Sequence, residues 1–424
     1  MLLLQLANNN HSKYLGNGNR IISIMIRPLV ISKDFCVSEN PAGMVDRDFW
    51  NNFPIESYLP TIYCSDWHAQ ENFNNVIRVR EILGTRIVQG LFNRCPIRDF
   101  CYLPDFSYIT WGWLAEKQII KSLKNNHYDY IDSLGMPHSS HLLALKLKRK
   151  TGLPWIARFY DPWIDNQFMS YKFDYYRKMN ERMERSVTES ADIIIHNNEH
   201  IAEVWRKRYG SKIADKIIVL PMIFNWEKIQ SYTPKNHIDG RLVISHIGNL
   251  FGVRTAHYFI LGIYDFISRN PELRDCIRVN MIGLVPDIDL DEIKKLKLED
   301  IFFTPGRLSE NDCHDYFVES DLYISIDGEG TLDLNYPSKL LKYFYYRKPI
   351  LGLTLENSVV AEELDRSGNY HVLYSDVKSI SIFLERAFFN YNSLIGFDRD
   401  YFLKFSKDKV LNSYDSIVRK LLRH

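Results

Sequence analysis

The sequence predicts an α/β protein made of two parallel sheets, each covered by helices. The first observation is a series of short, continuous apolar runs of strand length, each ended by a polar or glycine turn. Such runs suit parallel strands that are buried on both faces. The second observation is a polar stretch without periodicity, residues 226–241, which divides the runs into two sets. Strands that alternate with helices in two sets predict two doubly wound domains.

The first domain is predicted to span residues 20–235, after a loose polar extension at residues 1–19. Residues 20–27 form its first apolar run, followed by a glycine loop at Asn40 to Gly43 and a helix near residues 46–58. A strand, a glycine loop and a helix open a Rossmann-like unit, although the full Gly-x-Gly-x-x-Gly fingerprint is absent. Further strands are predicted at residues 60–65, 128–135, 153–159, 191–196 and 216–220, with helices at 141–150 and 174–189.

The second domain is predicted to span residues 236–398, with its sheet beginning after the linker. Each of its apolar runs is followed by a loop or a helix, so this half is also predicted to be Rossmann-like. A closing helical segment at residues 399–424 ends the chain. The predicted strands are residues 242–248, 279–283, 301–305, 322–327, 350–354 and 371–375.

The composition is that of a soluble globular protein and argues against several functional classes. Hydrophobic residues make up 46% of the chain and charged residues 25%, and the net charge of +1 gives no bulk signal for nucleic-acid binding. No apolar run approaches the length of a membrane span, and the apolar residues 1–7 lack the basic flank of a signal peptide.

The sequence also gives no sign of a metal site. Six scattered cysteines form no Cys-x-x-Cys pair, which argues against a zinc site or a disulfide scaffold and fits a reducing cytoplasm. The pair Asp287-x-Asp289 resembles a metal-binding acidic pair, but it opens a run typical of a solvated helix start.

Residues 336–354 carry the most informative pattern of the chain. Pro337 predicts a helix start, and the helix must end near Arg347, because the residue before Pro349 is pushed out of the helical region. Lys339 then lies in the first turn, where a cation opposes the helix dipole at a cost of about 0.3–1 kcal/mol. A bound anion would reverse that sign. A solvated surface lysine is the alternative interpretation.

A second pattern follows the first predicted strand of the second domain. Gly248 and Gly252 let the backbone approach a phosphate closely, and Asn249 lies between them. Arg254 is expected at the start of the next helix, where its fork of donors suits phosphate oxygens. An ordinary surface arginine is again the alternative.

Pro337-x-Lys339, a helix and Lys348-Pro349-Ile350-Leu351 together resemble the sugar-nucleotide helix of retaining, GT-B-type glycosyltransferases of the family 4 kind. The resemblance implies the GT-B fold, with two Rossmann-like domains facing across a cleft and a C-terminal helix that crosses back onto the first domain. It also implies a nucleotide-sugar donor as substrate and no cofactor. Arg254 and Lys339 would stabilise the departing diphosphate in place of a metal.

The same resemblance implies further residues on the donor side. Met136 to His141 is similar to the family's loop after the fourth strand, which faces the donor sugar. His138 would lie at the cleft and hydrogen-bond the sugar or the acceptor hydroxyl, with a purely structural position as an equal alternative. The predicted catalytic residues are Arg254, Lys339 and His138, and the predicted donor-binding residues are Gly43, Gly248, Asn249, Asp327, Glu329, Ser338 and Lys342.

The acceptor side is predicted from two further elements. Tyr160-Asp161-Pro162-Trp163 is similar to the family's Arg-Asp-Pro-Trp element, and Leu103-Pro104-Asp105 with Trp111 is similar to its Pro-Asp and Trp element. Asp105, Asp161 and Trp163 are therefore predicted to shape the acceptor side. A core position explains the Pro-Trp pair as well. Tyr160 replaces the usual arginine, so the role of that arginine does not carry over.

One departure from the family pattern concerns the nucleotide ribose. Lys342 stands where the family usually has the glutamate that holds the ribose, and Leu334 stands at the usual upstream glutamate. Glu329 or Asp333, in the loop before the helix, could substitute. Lys342 is predicted to contact the phosphates or to pair with one of these two carboxylates.

The sequence thus predicts a retaining, metal-independent transferase. It would move a hexose-type sugar to a glycan or lipid-linked acceptor in surface polysaccharide synthesis, in the cytoplasm at the inner face of the membrane. Aromatic and basic stretches at residues 146–150 and 171–182 could rest on anionic lipid, although solvated helix faces explain them as well. A nucleotide-sugar 2-epimerase on the same fold and a non-catalytic GT-B-like subunit are the alternatives.

Overall fold

The protein folds into two parallel sheets with helices between their strands, as the apolar runs predict. The structure is a computed structural model. It describes residues 25–35, 41–54, 56–66, 75–81, 108–166, 171, 173–224, 240–328, 334–394 and 398–423.

The first sheet has seven parallel strands in the order β3-β2-β1-β4-β5-β6-β7. The order reverses between β1 and β4, the kind of switch point at which doubly wound sheets open a crevice. Three of the strands, β1, β4 and β5, are fully buried, as expected for parallel strands that are covered on both faces. The strands are β1 Pro28–Ile31, β2 Thr61–Ser65, β3 Val76–Val79, β4 Tyr130–Gly135, β5 Trp155–Phe159, β6 Ile193–His196 and β7 Ile217–Val219.

The first strand corrects the sequence prediction. In the described part of the chain the sheet begins at Pro28, which lies opposite Tyr130 of β4, and residues 25–27 are not part of the strand. Residues 20–24 lie outside the described part of the chain, and Ile26 makes only an isolated bridge to Tyr58. Residues 21–26 and 29–31 are two mostly apolar stretches separated by Arg27 and Pro28, and pairing with the neighbouring strand, not composition, fixes the register.

A second correction concerns Gly43, which was expected in a glycine loop. It lies inside the helix Pro41–Asn51 (α1), since Pro41 begins the helix directly. The β3 strand, Val76–Val79, was not predicted, because only four residues separate its polar flanks.

The second sheet has six parallel strands in the order β10-β9-β8-β11-β12-β13. All six predicted strands of this half are present within two residues of the expected start, because each apolar run is bounded by polar or glycine residues. The strands are β8 Leu242–Ile247, β9 Ile277–Ile282, β10 Phe302–Gly306, β11 Leu322–Ile326, β12 Ile350–Thr354 and β13 Tyr370–Leu373.

Helices connect the strands in both halves. Most are amphipathic and bury one face against a sheet. A π-helical turn, Tyr108–Gly112, leads directly into α2. In chain order after α1 they are α2 Trp113–Ser122, α3 Ser139–Thr151, α4 Asp174–Ser190, α5 Glu199–Tyr209, α6 Ser211–Ala214, α7 His257–Arg269, α8 Asp287–Lys295, α9 Glu310–Glu319, α10 Lys339–Tyr346, α11 Val359–Arg366, α12 Val377–Phe389 and α13 Lys407–Leu421.

The last helix, α13, lies on the first sheet, although it follows the second sheet in sequence. The Tyr414 hydroxyl is 3.1 Å from the Tyr130 hydroxyl and donates a hydrogen bond to Asp132, and Tyr58 donates to Asp415 at 2.8 Å. The same apolar cluster contains residues of α13, α1 and the first sheet. The chain therefore crosses back from the second half to the first.

Two polar contacts join the halves near the sheet edges. His200 Nδ1 of α5 lies 3.3 Å from Glu362 of α11. The neighbouring Glu363 accepts a hydrogen bond from Lys404 at 2.7 Å, in the short helix Tyr401–Phe405 that precedes α13. Among the described residues, no helix is both long and apolar enough to cross a membrane.

Candidate functional site

Three glycine turns meet at the carboxyl edge of the second sheet. Gly248 follows β8, Gly283 follows β9 and Gly328 lies two residues after β11. A Cβ atom on Gly283 would lie 2.4 Å from the Gly248 carbonyl oxygen, and one on Gly328 would lie 2.5 Å from Val253 Cγ2. Gly248 and Gly283 also have φ values of +150° and +123°. Glycine is therefore required for this close approach.

Side-chain and backbone hydrogen bonds fix the turn that begins at Gly248, which we call the β8 turn (residues 248–254). Asn249 Oδ1 accepts from the Leu284 backbone N–H at 3.0 Å, and the Leu250 N–H donates to the Leu284 carbonyl at 2.8 Å. The predicted donor-binding residue Asn249 thus holds the β8 turn against the turn after β9. The side-chain oxygen of Asn249 therefore accepts a hydrogen bond from the protein's own backbone.

Helix α10 lies beside the β8 turn because a buried tyrosine attaches it there. The Tyr343 ring stacks on Tyr323 of β11 at 4.4 Å, and its hydroxyl accepts from the Ile247 N–H at 2.9 Å. The helix begins after Ser338 and ends before Arg347, as the sequence predicts. The backbone of Arg347 itself is in the left-handed region. The amino-terminal turn of α10 is therefore held at the carboxyl end of β8.

Lys339 reaches from this first turn to a histidine that the sequence analysis did not single out. Its Nζ lies 3.2 Å from Nε2 of His246, and His246 Nδ1 lies 3.0 Å from the Ile324 carbonyl. A carbonyl only accepts, so Nδ1 carries the ring proton, and the Nε2 lone pair accepts from the Lys339 ammonium. Burial, together with the charges of Lys339 and Arg254, holds the pKa of His246 well below its usual range. The ring is therefore neutral.

Arg254 closes the β8 turn. Its side chain is buried, its N–H donates to the Phe251 carbonyl at 3.2 Å, and its charge acts on His246. It lies three residues before α7 and not at the helix start that was expected. Two cations from sequence positions 85 residues apart, Arg254 and Lys339, therefore converge around one neutral histidine beside Gly248.

The remaining predicted donor-side residues take different positions. Ser338 is the half-buried residue just before α10 and makes no capping hydrogen bond with its side chain. Asp327 is buried, and its Oδ2 accepts from the Leu355 N–H at 3.2 Å, which ties the end of β11 to the end of β12. Glu329 lies outside the described residues. Gly43, inside α1, belongs to the first half of the molecule.

Lys342 does not point in the same direction as Lys339. Its Nζ lies 5.8 Å from the centre of the Phe317 ring, in α9, at cation–π distance. Leu334, at the position of the family's upstream glutamate, is fully buried in the apolar core. Because Glu329 and Asp333 lie outside the described part of the chain, the predicted pairing of Lys342 with them stays a prediction.

His138 is part of a buried histidine cluster in the first half, formed with His141 and His196. The His138 ring stacks on Trp163 at 4.3 Å, with an angle of 6° between the ring planes. Burial lowers the pKa of His138 and of His196 to about 3, and that of His141 well below its usual range. His138 is only 3% exposed, so its ring does not open onto a cleft as predicted. The core interpretation describes its position.

The acceptor-side prediction is also corrected at Trp163. The Trp163 ring is fully buried and donates from Nε1 to Asn180 Oδ1 at 3.0 Å, so it belongs to the core. Asp161 is half-buried and follows β5 at the carboxyl edge of the first sheet. Asp105 lies outside the described residues.

The acidic pair in the second half is structural, as the sequence indicates. Asp287 and Asp289 lie in the first turn of α8. Asp289 is buried and its Oδ2 accepts from the Ala256 N–H at 2.7 Å, while burial raises its pKa to about 6. In the part of the chain that the structure describes, no group of three or more His, Cys, Asp or Glu side chains is arranged to hold a metal ion.

Comparison with known proteins agrees with this architecture. Residues 72–225 match the family model described as Glycosyltransferase Family 4. The match falls in the first half, whereas the sequence patterns at Gly248 and Lys339 lie in the second. No curated protein matches the sequence significantly.

Solved structures share the whole fold at low identity. Anabaena HepE in complex with UDP and glucose superposes with a TM-score of 0.65 at 10% identity, over 93% of this chain and 100% of HepE. Sucrose-phosphate synthase from Thermosynechococcus elongatus gives 0.66 at 12% identity, over 94% and 99%. The lipopolysaccharide outer core galactosyltransferase WaaB gives 0.61 at 12%, over 93% and 99%. The expected resemblance to GT-B glycosyltransferases of family 4 is therefore confirmed, and the chain has the GT-B fold.

Proposed function

We propose that the protein is a retaining glycosyltransferase that moves a hexose-type sugar from a nucleotide-sugar donor to a glycan or lipid-linked acceptor. One observation carries the proposal: Lys339 and Arg254 converge at the glycine-lined β8 turn, at the carboxyl edge of a parallel sheet. Ligands of doubly wound sheets bind at this edge. A glycine turn lets the protein backbone come close to a phosphate, and two cations beside such a turn suit a diphosphate.

The reaction breaks the bond between the anomeric carbon and the phosphate oxygen. Negative charge grows on the departing diphosphate while positive charge grows on the sugar ring. Cations already held in place stabilise that transition state without reorganising, and one such donor is worth roughly a hundredfold or more in rate. Arg254 and Lys339 would do this without a divalent metal. Retention would follow from attack by the acceptor on the same face of the sugar.

His246 is proposed to position Lys339. Its Nε2 accepts from the ammonium and its Nδ1 is committed to the Ile324 carbonyl, so the ring cannot turn without losing one of two hydrogen bonds. The lysine therefore points at the β8 turn before any donor binds. Preorganisation of this kind lowers the entropic cost of binding the diphosphate.

What the structural relatives bind supports a nucleotide-sugar donor. HepE is solved with UDP and glucose, and also with UDP-glucose. WaaB is described as a galactosyltransferase of the lipopolysaccharide outer core. These descriptions motivate the proposals of a hexose donor and of a role in surface polysaccharide synthesis, at the cytoplasmic side of the membrane where a lipid-linked acceptor would be met.

A non-catalytic GT-B-like subunit is the second candidate, and one observation favours it. Both positions that hold the ribose in the family lack a carboxylate: Leu334 is buried in the core and Lys342 lies against Phe317. A subunit that has lost donor binding would tolerate both changes. The 2-epimerase alternative needs acid and base carboxylates at the β8 turn. The buried Asp327, next to Gly328, already accepts a hydrogen bond from the Leu355 N–H at 3.2 Å.

A thermal-shift screen across UDP-, GDP-, dTDP- and CMP-sugars separates the two candidates. A ligand that binds only the folded state at a hundred times its Kd stabilises it by about 2.7 kcal/mol. We expect one nucleotide class to raise the Tm of the wild type and to have no effect on a Gly248→Val variant, whose side chain would fill the space beside Lys339. No shift with any donor, in a folded protein, would favour the non-catalytic subunit.

A further inference from the structure

One stripe of α2 is exposed and carries cations without any acidic neighbour along it. Trp113, Lys117, Lys121 and Lys124 follow one another at intervals of four, four and three residues, so they share one side of the helix and the turn after it. Trp113 is 48% exposed, and Lys117 Nζ lies 3.4 Å from the centre of its ring. The stripe thus combines an exposed indole, with a cation at cation–π distance from it, and a row of lysines.

The last turns of α3 contact α2 through the buried carboxylate of Glu116. Lys146 donates to Glu116 at 2.7 Å and Lys150 donates to the same carboxylate, which is largely buried between the helices. Glu116 is the only acidic residue in α2 or α3. The two helices together carry six lysine or arginine residues and one glutamate, so 6 − 1 gives +5, against +1 for the whole chain.

The other aromatic and basic stretch, in α4, has a different structure. Its cations pair along the helix with acidic residues: Arg177 with Glu181 at 3.2 Å and Lys178 with Asp174 at 3.1 Å. Arg185 lies 3.8 Å from Glu189. Charge that is balanced in this way is typical of a solvated helix face. Three of the four cations of α3 are also paired, Lys146 and Lys150 with Glu116 and Lys148 with Asp192 at 2.7 Å, so the unbalanced charge lies on the α2 stripe.

We propose that the side of α2 and of the turn after it that displays Trp113, Lys117, Lys121 and Lys124, which we call the basic face, binds the surface of an anionic membrane. The inference rests on the proposed function, since a lipid-linked acceptor would lie at that surface. Lysines near an anionic leaflet are attracted by its potential, and an indole prefers the boundary between water and acyl chains. The basic face offers both features together, whereas α4 offers balanced charge.

Vesicle sedimentation of the full chain tests the proposal. We expect the wild type to bind vesicles of phosphatidylcholine with 30% phosphatidylglycerol and to bind pure phosphatidylcholine weakly. A Lys117→Gln/Lys121→Gln/Lys124→Gln variant should lose about a hundredfold in its partition coefficient, since three cations are removed. Trp113→Ala should weaken the binding that remains at high salt, where the electrostatic attraction is screened.

The matched control removes three cations from α4, as Arg177→Gln/Lys178→Gln/Arg182→Gln, and should bind anionic vesicles nearly as the wild type does. An equal loss of vesicle binding in both triple variants, or no loss of vesicle binding in the α2 variant, would overturn the assignment of the surface. Binding to heparin but not to anionic vesicles would show a site for a soluble polyanion and would overturn the lipid assignment.

The test also separates this inference from the proposed function. The α2 variant should keep the donor-induced Tm shift and the release of nucleoside diphosphate, because none of its substitutions lies at the β8 turn. A Lys339→Ala protein should lose turnover and still bind vesicles. Vesicle binding without any response to nucleotide sugars would refute the proposed function, while the assignment of the basic face as a membrane-binding surface would still hold.

Discussion

Replacing Lys339 by alanine tests the proposed site most directly. In the structure its ammonium donates to His246 Nε2 at 3.2 Å beside the β8 turn, where the diphosphate is expected. Loss of one preorganised donor to a developing anion lowers the rate by about 10² to 10³. We therefore expect kcat/KM to fall by at least a hundredfold, which corresponds to about 2.7 kcal/mol of transition-state stabilisation.

The same substitution should hardly change the stability of the fold. A cation in the first turn opposes the helix dipole by about 0.3–1 kcal/mol, and its removal offsets part of the lost hydrogen bond to His246. The expected change in Tm is therefore below about 4 °C. This separation of activity from stability is the signature of a functional lysine rather than a structural one.

The assay is release of nucleoside diphosphate from the donor that the thermal-shift screen selects. Lys378→Ala is the matched control, because Lys378 is also a lysine in the first turn of a helix, α12, and its side chain is exposed. The control should keep wild-type turnover. If Lys339→Ala also kept wild-type kcat/KM, Lys339 would be an ordinary surface lysine and the proposed site would be wrong.

Four further outcomes are expected. Turnover should survive EDTA, because Arg254 and Lys339 supply the positive charge; loss on chelation that Mg²⁺ or Mn²⁺ restores would contradict this. Lys342→Glu should change affinity or preference among nucleoside diphosphates in calorimetry and leave folding intact, and identical affinities across the panel would show that residue 342 lies off the site. His246→Gln, whose amide can both accept and donate, should raise the donor KM less than His246→Leu does; equal effects would deny the positioning role. Finally, the buried histidine cluster has pKa values below the unfolded value, so the unfolded state binds more protons below pH 6.5 and stability falls on acidification. About 4 kcal/mol should be lost by pH 5.5 for the three groups, measured by urea unfolding, and a flat profile would contradict the neutral, buried assignment.

Most of the fold could be predicted because both faces of these sheets are covered. Strands that are buried on both faces have short, continuous apolar sequences. In the second half each of these apolar runs is bounded by polar or glycine residues. The first strand was predicted in residues 20–27, whereas the described strand, Pro28–Ile31, begins just after Arg27. Composition alone could not choose between these two neighbouring apolar stretches, because the register is set by Tyr130 of β4, about 100 residues away.

The candidate site was predictable only in part, for a similar reason. The Gly248 turn and the lysine after Pro337 are local patterns. The role of His246 is not local, since its two partners, Ile324 and Lys339, lie 78 and 93 residues further along the chain. A single histidine in an otherwise apolar strand, two residues before a glycine turn, is the signal that could have identified it.

The direction of Lys342 and the burial of His138 could not be read from spacing. Lys339 and Lys342 are three residues apart and share a side of α10, yet their ammonium groups diverge because one finds an imidazole and the other an aromatic ring of α9. His138 has the sequence position of a cleft residue, but the indole of Trp163 covers it. In both cases a contact with an aromatic residue from another part of the fold, Phe317 or Trp163, decides where the side chain lies.

The choice of a neutral histidine as the partner of Lys339 has an electrostatic consequence. A carboxylate at position 246 would also hold the ammonium, but it would cancel the charge that a diphosphate needs. His246 accepts a hydrogen bond while its own pKa is held well below the usual range, so the pair keeps the full charge of the lysine. The protonated ring would be disfavoured further by Arg254. Orientation of the lysine and charge for a bound anion are thereby supplied by different residues.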